Sequence, residues 1–332
     1  MSETRAALLR RRLIDLPLEL NAATVHLDAV PLPSYPGEPR PSSTVQLAGG
    51  GEAGRGENVA WTREEHEHFA QWVENRDWTA TCSLGIFCEQ LATTLSQPYR
   101  RAAIESAAID LALRQGNTNL GELCGTDFGD IRYVRSFASS IDPLPELRDH
   151  LEQAPEIGLK LDVHPAWAPE TLTELARLEK IEVLDFKHRG SKLQQIRTAE
   201  VLQHPWLEDP GARGQSVSRT LADRFSLDAA LTHEDPATIL ANLNPAAANL
   251  KVPRMGGVLN LLSAAAFCET RKKPFYMGGM FEVSGGRAQA RELASLLAPQ
   301  GPNDLAPLPR GPQQRFPLTL RPRNDGSGFG HR

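Results

Sequence analysis

Eight charged residues recur where short β-like runs of the chain end: Lys160 and Asp162, Asp185 and Lys187, Glu208, Asp228, Lys251 and Glu282. Side chains alternate between the faces of a strand, so Lys160 shares a face with Asp162, and Asp185 with Lys187. Asp185, Glu208 and Asp228 close three successive runs, spaced 23 and 20 residues apart, about one strand-helix unit each. Gathered in one place, three carboxylates repel one another unless a cation neutralises them, and a hard, oxygen-liganded ion such as Mg²⁺ suits them. Taken alone, an aspartate at a strand end is more often the cap of the following helix. The even spacing and the flanking lysines favour a joint site. His164, His188 and His233 follow strand-like runs and His204 precedes one; they are candidate proton shuttles whose alternative is an ordinary loop position.

These residues need a scaffold that brings strand ends together. From residue 126 the chain alternates strand-like and helical segments at roughly 20–25 residues per unit, the pattern of parallel strand-helix repetition. The strand runs are Ile131–Phe137, Gly158–Val163, Ile181–Phe186, Trp206–Glu208, Phe225–Leu227, Asn249–Val252 and Pro274–Met280. Helices are expected between them, including Ser216–Asp223, and an eighth strand near Leu305–Leu308. Seven units and a closing strand favour a barrel, whose reactive residues lie at the C-terminal strand ends. An open doubly wound sheet would carry a glycine-rich phosphate loop after its first strand, and none is present. The preceding segment differs. Its first sixty residues, interrupted by Pro31, Pro33, Pro36, Pro39 and Pro41, predict short strands and loops. Thr44–Ala48 reads as a strand and Gly49–Gly51 as a turn. Thr62 and Glu65 form a capping box, and Pro98–Gln115 carries helical apolar spacing. The division expected is an α+β unit over 1–125 and a barrel over 126–309, with the C-terminal segment 310–332 a candidate to return to the first unit.

Composition narrows the function class. With 40% hydrophobic and 23% charged residues in 332, collagen-like, disulfide-scaffold and wholly disordered chains are excluded. A formal charge of −5 gives no reason to expect nucleic acid or an anionic membrane as partner. Four cysteines without a CxxC pair argue against zinc and against a disulfide framework. No apolar run approaches a membrane span and no signal-peptide core is evident, so a cytoplasmic chain acting on a small molecule is expected. Arg10–Arg12 reads as the solvated edge of an ordinary element.

Several segments resemble the enolase superfamily, in its muconate-lactonizing enzyme and o-succinylbenzoate synthase branch. Gly54-Arg-Gly-Glu-Asn58 is similar to the GxGE turn of that family's capping domain, and Arg101–Leu111 with Gly121–Gly125 to its AxxAxxxALxDL…LLG helix. Glu208-Asp-Pro210 matches an ExP strand end. Asn249-Leu-Lys-Val-Pro-Arg-Met-Gly-Gly257, similar to NxKxxRxGG, is the most specific match. Pro274–Glu282 resembles the seventh strand, and Asp325–Gly330 loosely echoes the terminal PGxG stretch. The resemblance implies a modified (β/α)7β TIM-type barrel with an N-terminal α+β capping domain. It implies that Asp185, Glu208 and Asp228 ligate Mg²⁺, with Mn²⁺ as an alternative, and that Lys251 is the catalytic lysine. The implied reaction is that of a lyase or isomerase, of o-succinylbenzoate synthase or cycloisomerase type, abstracting a proton α to a carboxylate to give a metal-stabilised enediolate. In the o-succinylbenzoate synthase type the sixth-strand ammonium acts instead through a cation–π contact. The substrate is a small carboxylate, with Glu282, Ser284, Arg254 and His164 as candidate contacts, Trp167 a cover for the mouth, and Asn21–Pro39 the stiff counterpart of a closing loop. A homo-oligomer is an open option.

The departures are equally specific. The family's second strand carries KxK, its second lysine being the usual base, whereas this chain reads Lys160-Leu-Asp162. Two residues after the first ligand, where Asn is common, stands Lys187. The usual Asp-Glu pair of the third ligand strand reads Asp228-Ala229, and the DxD pair of dipeptide epimerases is absent. Lys160 and Lys187 are therefore the remaining lysines of the proposed catalytic set, and Asp162 and Lys187 are expected to face each other on adjacent strands, as an ion pair or as a relocated base. Asp162 as a carboxylate base or a fourth oxygen ligand is a further possibility. The competing expectation is a catalytically divergent enolase-like protein that binds a carboxylated ligand without the ancestral reaction.

Overall fold

A computed structural model describes residues 3–30, 39–211, 219–232, 235–305, 321–322 and 326–330. The chain begins with α1 (Arg5–Ile14), capped by the Thr4 side chain accepting from the Ala7 N–H, and Ala6, Leu9 and Leu13 form its buried stripe. This helix corrects the expectation of strands and loops throughout the first sixty residues, because the five prolines that argued against helix all lie beyond it. Next come β1 (Pro17–Leu20), β2 (Ala22–Val30), β3 (Arg40–Gly49), β4 (Glu52–Asn58), α2 (Arg63–Glu74), β5 (Ala80–Ser83), α3 (Leu84–Thr94), α4 (Pro98–Gln115) and α5 (Leu120–Cys124). Strands β2, β3 and β4 form an antiparallel sheet, and β1 pairs with β5. The first half of the expected loop Asn21–Pro39 is thus β2, paired with β3 from Ala22↔Ala48 to Val30↔Arg40; residues 31–38 lie outside the described residues. The Thr62–Glu65 capping box opens α2, with both reciprocal hydrogen bonds present.

Two glycines explain how α4 lies on this sheet. A Cβ on Gly56 would stand 1.9 Å from the Ala103 carbonyl oxygen, and one on Gly54 2.2 Å from that of Ala107. Only glycine lets β4 approach the helix backbone so closely. Helix α4 is consequently buried on every side from Arg101 to Arg114.

The second region alternates strand and helix: β6 (Val134–Phe137), α6 (Leu144–Gln153), β7 (Gly158–Asp162), α7 (Pro169–Arg177), β8 (Ile181–Asp185), α8 (Lys192–Val201), β9 (Trp206–Glu208), α9 (Arg219–Ala222), β10 (Phe225–Leu227), α10 (Pro236–Leu243), β11 (Ala247–Leu250), α11 (Val258–Arg271), β12 (Phe275–Met277) and α12 (Gly285–Leu297). The seven strands form one parallel sheet in chain order. It closes through single bridges from Tyr133 to Asn303 and from Gly278 to Asp304. The closing segment therefore lies at Asn303–Asp304, ahead of the expected strand Leu305–Leu308, of which residues 306–308 are outside the described set. The same holds for 216–218 of the expected helix Ser216–Asp223, for His233, for Asp325 and for 310–320, 323–325 and 331–332 of the C-terminal segment.

Strand periodicity sorts the barrel into two layers. Outward-facing Leu159, Leu161, Leu184, Phe186 and Leu207 pack with Leu147, Leu172, Leu175 and Ala199 of the surrounding helices, each buried leucine contributing about 2 kcal/mol. Inside, Val183, Ala247 and Tyr276 make a small apolar layer with Trp206 against it. One step further toward the C-terminal strand ends the same inward parity yields Asp185, Glu208, Asp228 and Asn249. The remaining tail returns at residues 326–330: Gly328 bridges Asn119, and the Phe329 N–H donates to Asp110 of α4. Among the described residues no helix is long and apolar enough to cross a membrane.

Candidate metal centre and active site

Parallel pairing sets the candidate carboxylates side by side. Asp162 is in register with Asp185, and Asp185 with Glu208, while Ser226, two residues before Asp228, is in register with Glu208. Asp185, Glu208 and Asp228 are all buried and offer one oxygen each within 4.8 Å of one another, the one such acidic group among the described residues. Two oxygens on one Mg²⁺ at about 2.1 Å stand at most about 4.2 Å apart. Only a trans pair reaches that limit and cis pairs stand about 3.0 Å apart, so the triad closes by up to about 1–2 Å to hold one ion. Beside it, Asn249 donates through Nδ2 to Glu208 Oε2 at 3.0 Å, and its buried Oδ1 has no hydrogen-bond partner. These hard oxygen donors fit a divalent cation.

The chain supplies cations of its own to the same acids. Lys160 Nζ donates to Glu208 Oε1 at 2.5 Å and stands 3.7 Å from both Asp185 Oδ2 and Asp304 Oδ2. Lys187 Nζ lies 2.6 Å from Asp185 Oδ2 and 3.1 Å from Asp162 Oδ1. Lys251 Nζ donates to Asp228 Oδ2 at 2.8 Å, and Arg254 pairs with the other oxygen of Asp228. A Cβ on Gly278 would come within 2.6 Å of Lys251 Cε and 2.4 Å of Asn249 Oδ1, so the glycine at that inward position leaves the lysine its path across the barrel.

Electrostatics follow from these pairings. Burial opposes the charged form of Lys160, yet Glu208, Asp185 and Asp304 around it hold the ammonium well above the ordinary lysine range. Burial pushes Glu208 up against the pull of Lys160, with Asp185 and Asp228 adding to the rise. For Asp228 burial is outweighed by Lys251, Arg254 and Lys160, which keep it ionised below the usual carboxylate range. Burial likewise disfavours the Lys187 ammonium, and Asp185 and Asp162 more than reverse this, so it stays protonated. Non-glycine residues in the left-handed region gather at these strand ends: Lys187 (φ 47°), His188 (φ 58°), Asp209 (φ 44°) and Phe281 (φ 62°), a concentration of strain common at functional sites.

The other expected residues have partners of their own outside the triad. His164 accepts at Nδ1 from the Ala166 N–H and lines a separate cavity of about 230 Å³ with Trp167, Arg189 and Arg197. Trp167 donates its indole N–H to the Ser140 carbonyl, packed in the outer layer. Glu282 accepts from the Met280 N–H and pairs with Arg287 at 3.5 Å. Ser284 meets Thr44 of β3 at 3.3 Å. His204, ahead of β9, lines a cleft with Trp206, the first residue of that strand. Sequence reasoning overlooked Asp209, Tyr276 and Asp304, and gave no role to Asn249. Asp209 accepts the N–H groups of Asp228 and Ala229. Tyr276 donates to Glu208 Oε2 at 2.6 Å and contacts Ser226 at 2.8 Å. Asp304 accepts from Ser136 at 2.7 Å. Alternation from Gly278 and Lys251 would have flagged Tyr276 and Asn249, whereas Asp304 was hidden by placing the closing strand too late.

Residues 11–123 match the family described as the N-terminal domain of DUF8230, a domain of unknown function, and residues 128–309 match its C-terminal domain. The chain is 28% identical over 219 residues to an o-succinylbenzoate synthase of Enterococcus faecalis, across 62% of this chain and 59% of that protein. It spans about six-tenths of the length of the curated relatives it matches, 59% and 62%. Among solved structures, dipeptide epimerase from Methylococcus capsulatus, in complex with Mg and the dipeptide L-Arg-D-Lys, superposes with a TM-score of 0.78 at 20% identity, covering 94% of this chain and 99% of that one. An enolase-superfamily member from Listeria innocua gives 0.73 at 18% identity, covering 86% and 85%. The fold is that of the enolase superfamily, a capping domain on a (β/α)7β barrel.

Proposed function

The chain belongs to the DUF8230 family, with both its N-terminal and C-terminal domains, and on that premise we propose that it is a divalent-metal-dependent lyase or isomerase acting on a small carboxylate. The observation that carries this reading is the convergence of Asp185, Glu208 and Asp228 with Lys251 Nζ 2.8 Å from the third of them. A divalent ion held by these three would offset the second negative charge that a carboxylate acquires on losing its α-proton. Lys251 would move that proton, since its ammonium pairs with one carboxylate, Asp228, whereas Lys160 and Lys187 are each held by two or more. Lys160 fixes Glu208 and remains an ammonium. Asp209, through two backbone N–H groups, holds the turn that aims Asp228. The identity of the relatives favours o-succinylbenzoate synthase or cycloisomerase-type chemistry, with Mg²⁺ as the metal and Mn²⁺ able to replace it.

A second reading has its own observation. Every triad carboxylate is already paired with a lysine or arginine of the chain, as a protein would be that binds a carboxylated ligand without the ancestral reaction. Exchange of the α-proton into D₂O, measured over a panel of carbon-acid carboxylates with Mg²⁺ or Mn²⁺ present, separates the two. The enzyme reading expects exchange that falls by at least about a hundredfold in Lys251→Ala and in Asp185→Asn. Equilibrium dialysis without metal uptake, together with no exchange in the intact protein, leaves the second reading.

A further inference from the structure

We propose that Lys187 is a built-in competitor for the divalent cation: the ion reaches Asp185 only when the Lys187 ammonium leaves that carboxylate and is held by Asp162 alone. This rests on the metal-centre reading above and concerns how the site is gated. Lys187 Nζ sits between Asp185 Oδ2 at 2.6 Å and Asp162 Oδ1 at 3.1 Å, so it occupies an oxygen of a carboxylate in the triad while a second acceptor already touches it. Asp162 and Asp185 are in register on adjacent strands, so the move is a short swing at one level of the barrel. The two lysines on Asp185 differ in what that move costs. The Lys160 side chain is 3% exposed, enclosed by Glu208, Asp185 and Asp304, and its release would strand a charge without water. The Lys187 side chain is 42% exposed and Asp162 is 20% exposed, so water solvates the ammonium as it leaves.

The local backbone holds the competitor in place. The Lys187 N–H donates to Asp185 Oδ1 at 3.1 Å, so one residue grips both oxygens of the carboxylate. The His188 N–H donates to the Asp209 carbonyl, fixing the turn to the next strand. A divalent ion must therefore displace a side chain rather than only water, and the Asp162–Lys187 pair is left beside it as a separate, solvated unit.

The test is calorimetric titration of the full chain with Mn²⁺ alone, which needs no substrate. Lys187→Met should bind about tenfold more tightly than the intact protein, and Lys187→Arg, which keeps the charge, should stay near it. Asp162→Asn, which removes the alternative acceptor, should weaken binding severalfold. Lys192→Met, an exposed lysine at the start of α8, controls for charge removal in general and should shift affinity by less than about twofold at 0.15 M salt. Binding that appears only once Lys187 is replaced also supports the proposal. Measurable binding that Lys187→Met leaves unchanged or weaker overturns it while leaving the metal centre standing, and so does equal tightening by Lys192→Met. Failure of the intact protein and every variant to take up Mn²⁺ overturns both.

Discussion

Buried acids occur in two regions of this protein, and they are satisfied by different chemistry. At the seam between the capping domain and the barrel, Glu57, Glu105 and Asp110 are held mainly by backbone N–H groups. Glu57 of β4 accepts from Val283, Ser284 and Gly286 at the start of α12. Glu105 of α4 accepts from Leu259 at the start of α11. Asp110 accepts from Arg55 and Phe329 and pairs with Arg114. Helix N-termini present unsatisfied N–H groups and a favourable dipole, so Glu57 and Glu105 each complete a helix of the other region, while Asp110 ties β4 to the returning tail. At the barrel mouth, Asp162, Asp185, Glu208 and Asp228 are neutralised by lysine and arginine side chains. Backbone donors cannot leave without unfolding a helix turn, whereas a long side chain can swing away. The seam is fastened, whereas the mouth combines an enclosed cation, Lys160, with an exchangeable one, Lys187.

The comparison breaks most sharply at Lys160. Lys160→Met leaves Glu208 buried without its ammonium, and the expected loss is about 3–5 kcal/mol in urea unfolding. Divalent cation should restore part of that loss, because it neutralises the same carboxylate; a variant as stable as the parent would show that Lys160 is not what balances Glu208. Glu105 comes next. Burial raises its carboxyl from 4.5 to about 7, against the opposing pull of the Leu259 N–H and Arg101. The folded protein thus binds this proton more tightly than the unfolded chain. The associated stability is complete below about pH 4.5 and is lost as pH rises through about 7, on the order of 3 kcal/mol. Glu105→Gln should flatten that fall, as followed by denaturation at pH 5 and pH 8; an unchanged slope would place the titration elsewhere. Smallest is Lys187. Its ammonium is partly exposed, and Asp185 keeps Lys160 nearby when it is removed, so Lys187→Met should cost on the order of 1 kcal/mol, and a loss as large as that at Lys160 would make the mouth as rigidly fastened as the seam.

Much of the site was legible without coordinates because strand parity and strand-helix spacing are local properties of the chain. Asp185, Glu208 and Asp228 stand one unit apart, and Lys187 and Asp162 fall on matching parity, so their meeting on adjacent strands could be expected. The capping box at Thr62 and the helix Pro98–Gln115 were legible for the same reason. Helix α1 was not, since the proline-rich stretch beyond it dominated the reading of the N-terminal region. For Glu282 and Ser284, expected as substrate contacts, the structure adds the partners that hold them: Met280 and Arg287 for the first, Thr44 of β3 for the second.

The amino-acid order by itself determined the alternation of elements, the inward parity of the charged residues and the substitution of aspartate for the second-strand lysine. Tertiary structure alone decided how the cations are shared: that Lys160 serves Glu208, that Lys187 also holds Asp185, and that Asp304 joins from the closing segment. Periodicity specifies the face on which a side chain stands. Partner choice depends on strand register, barrel closure and burial, which are set by contacts between residues far apart in the chain.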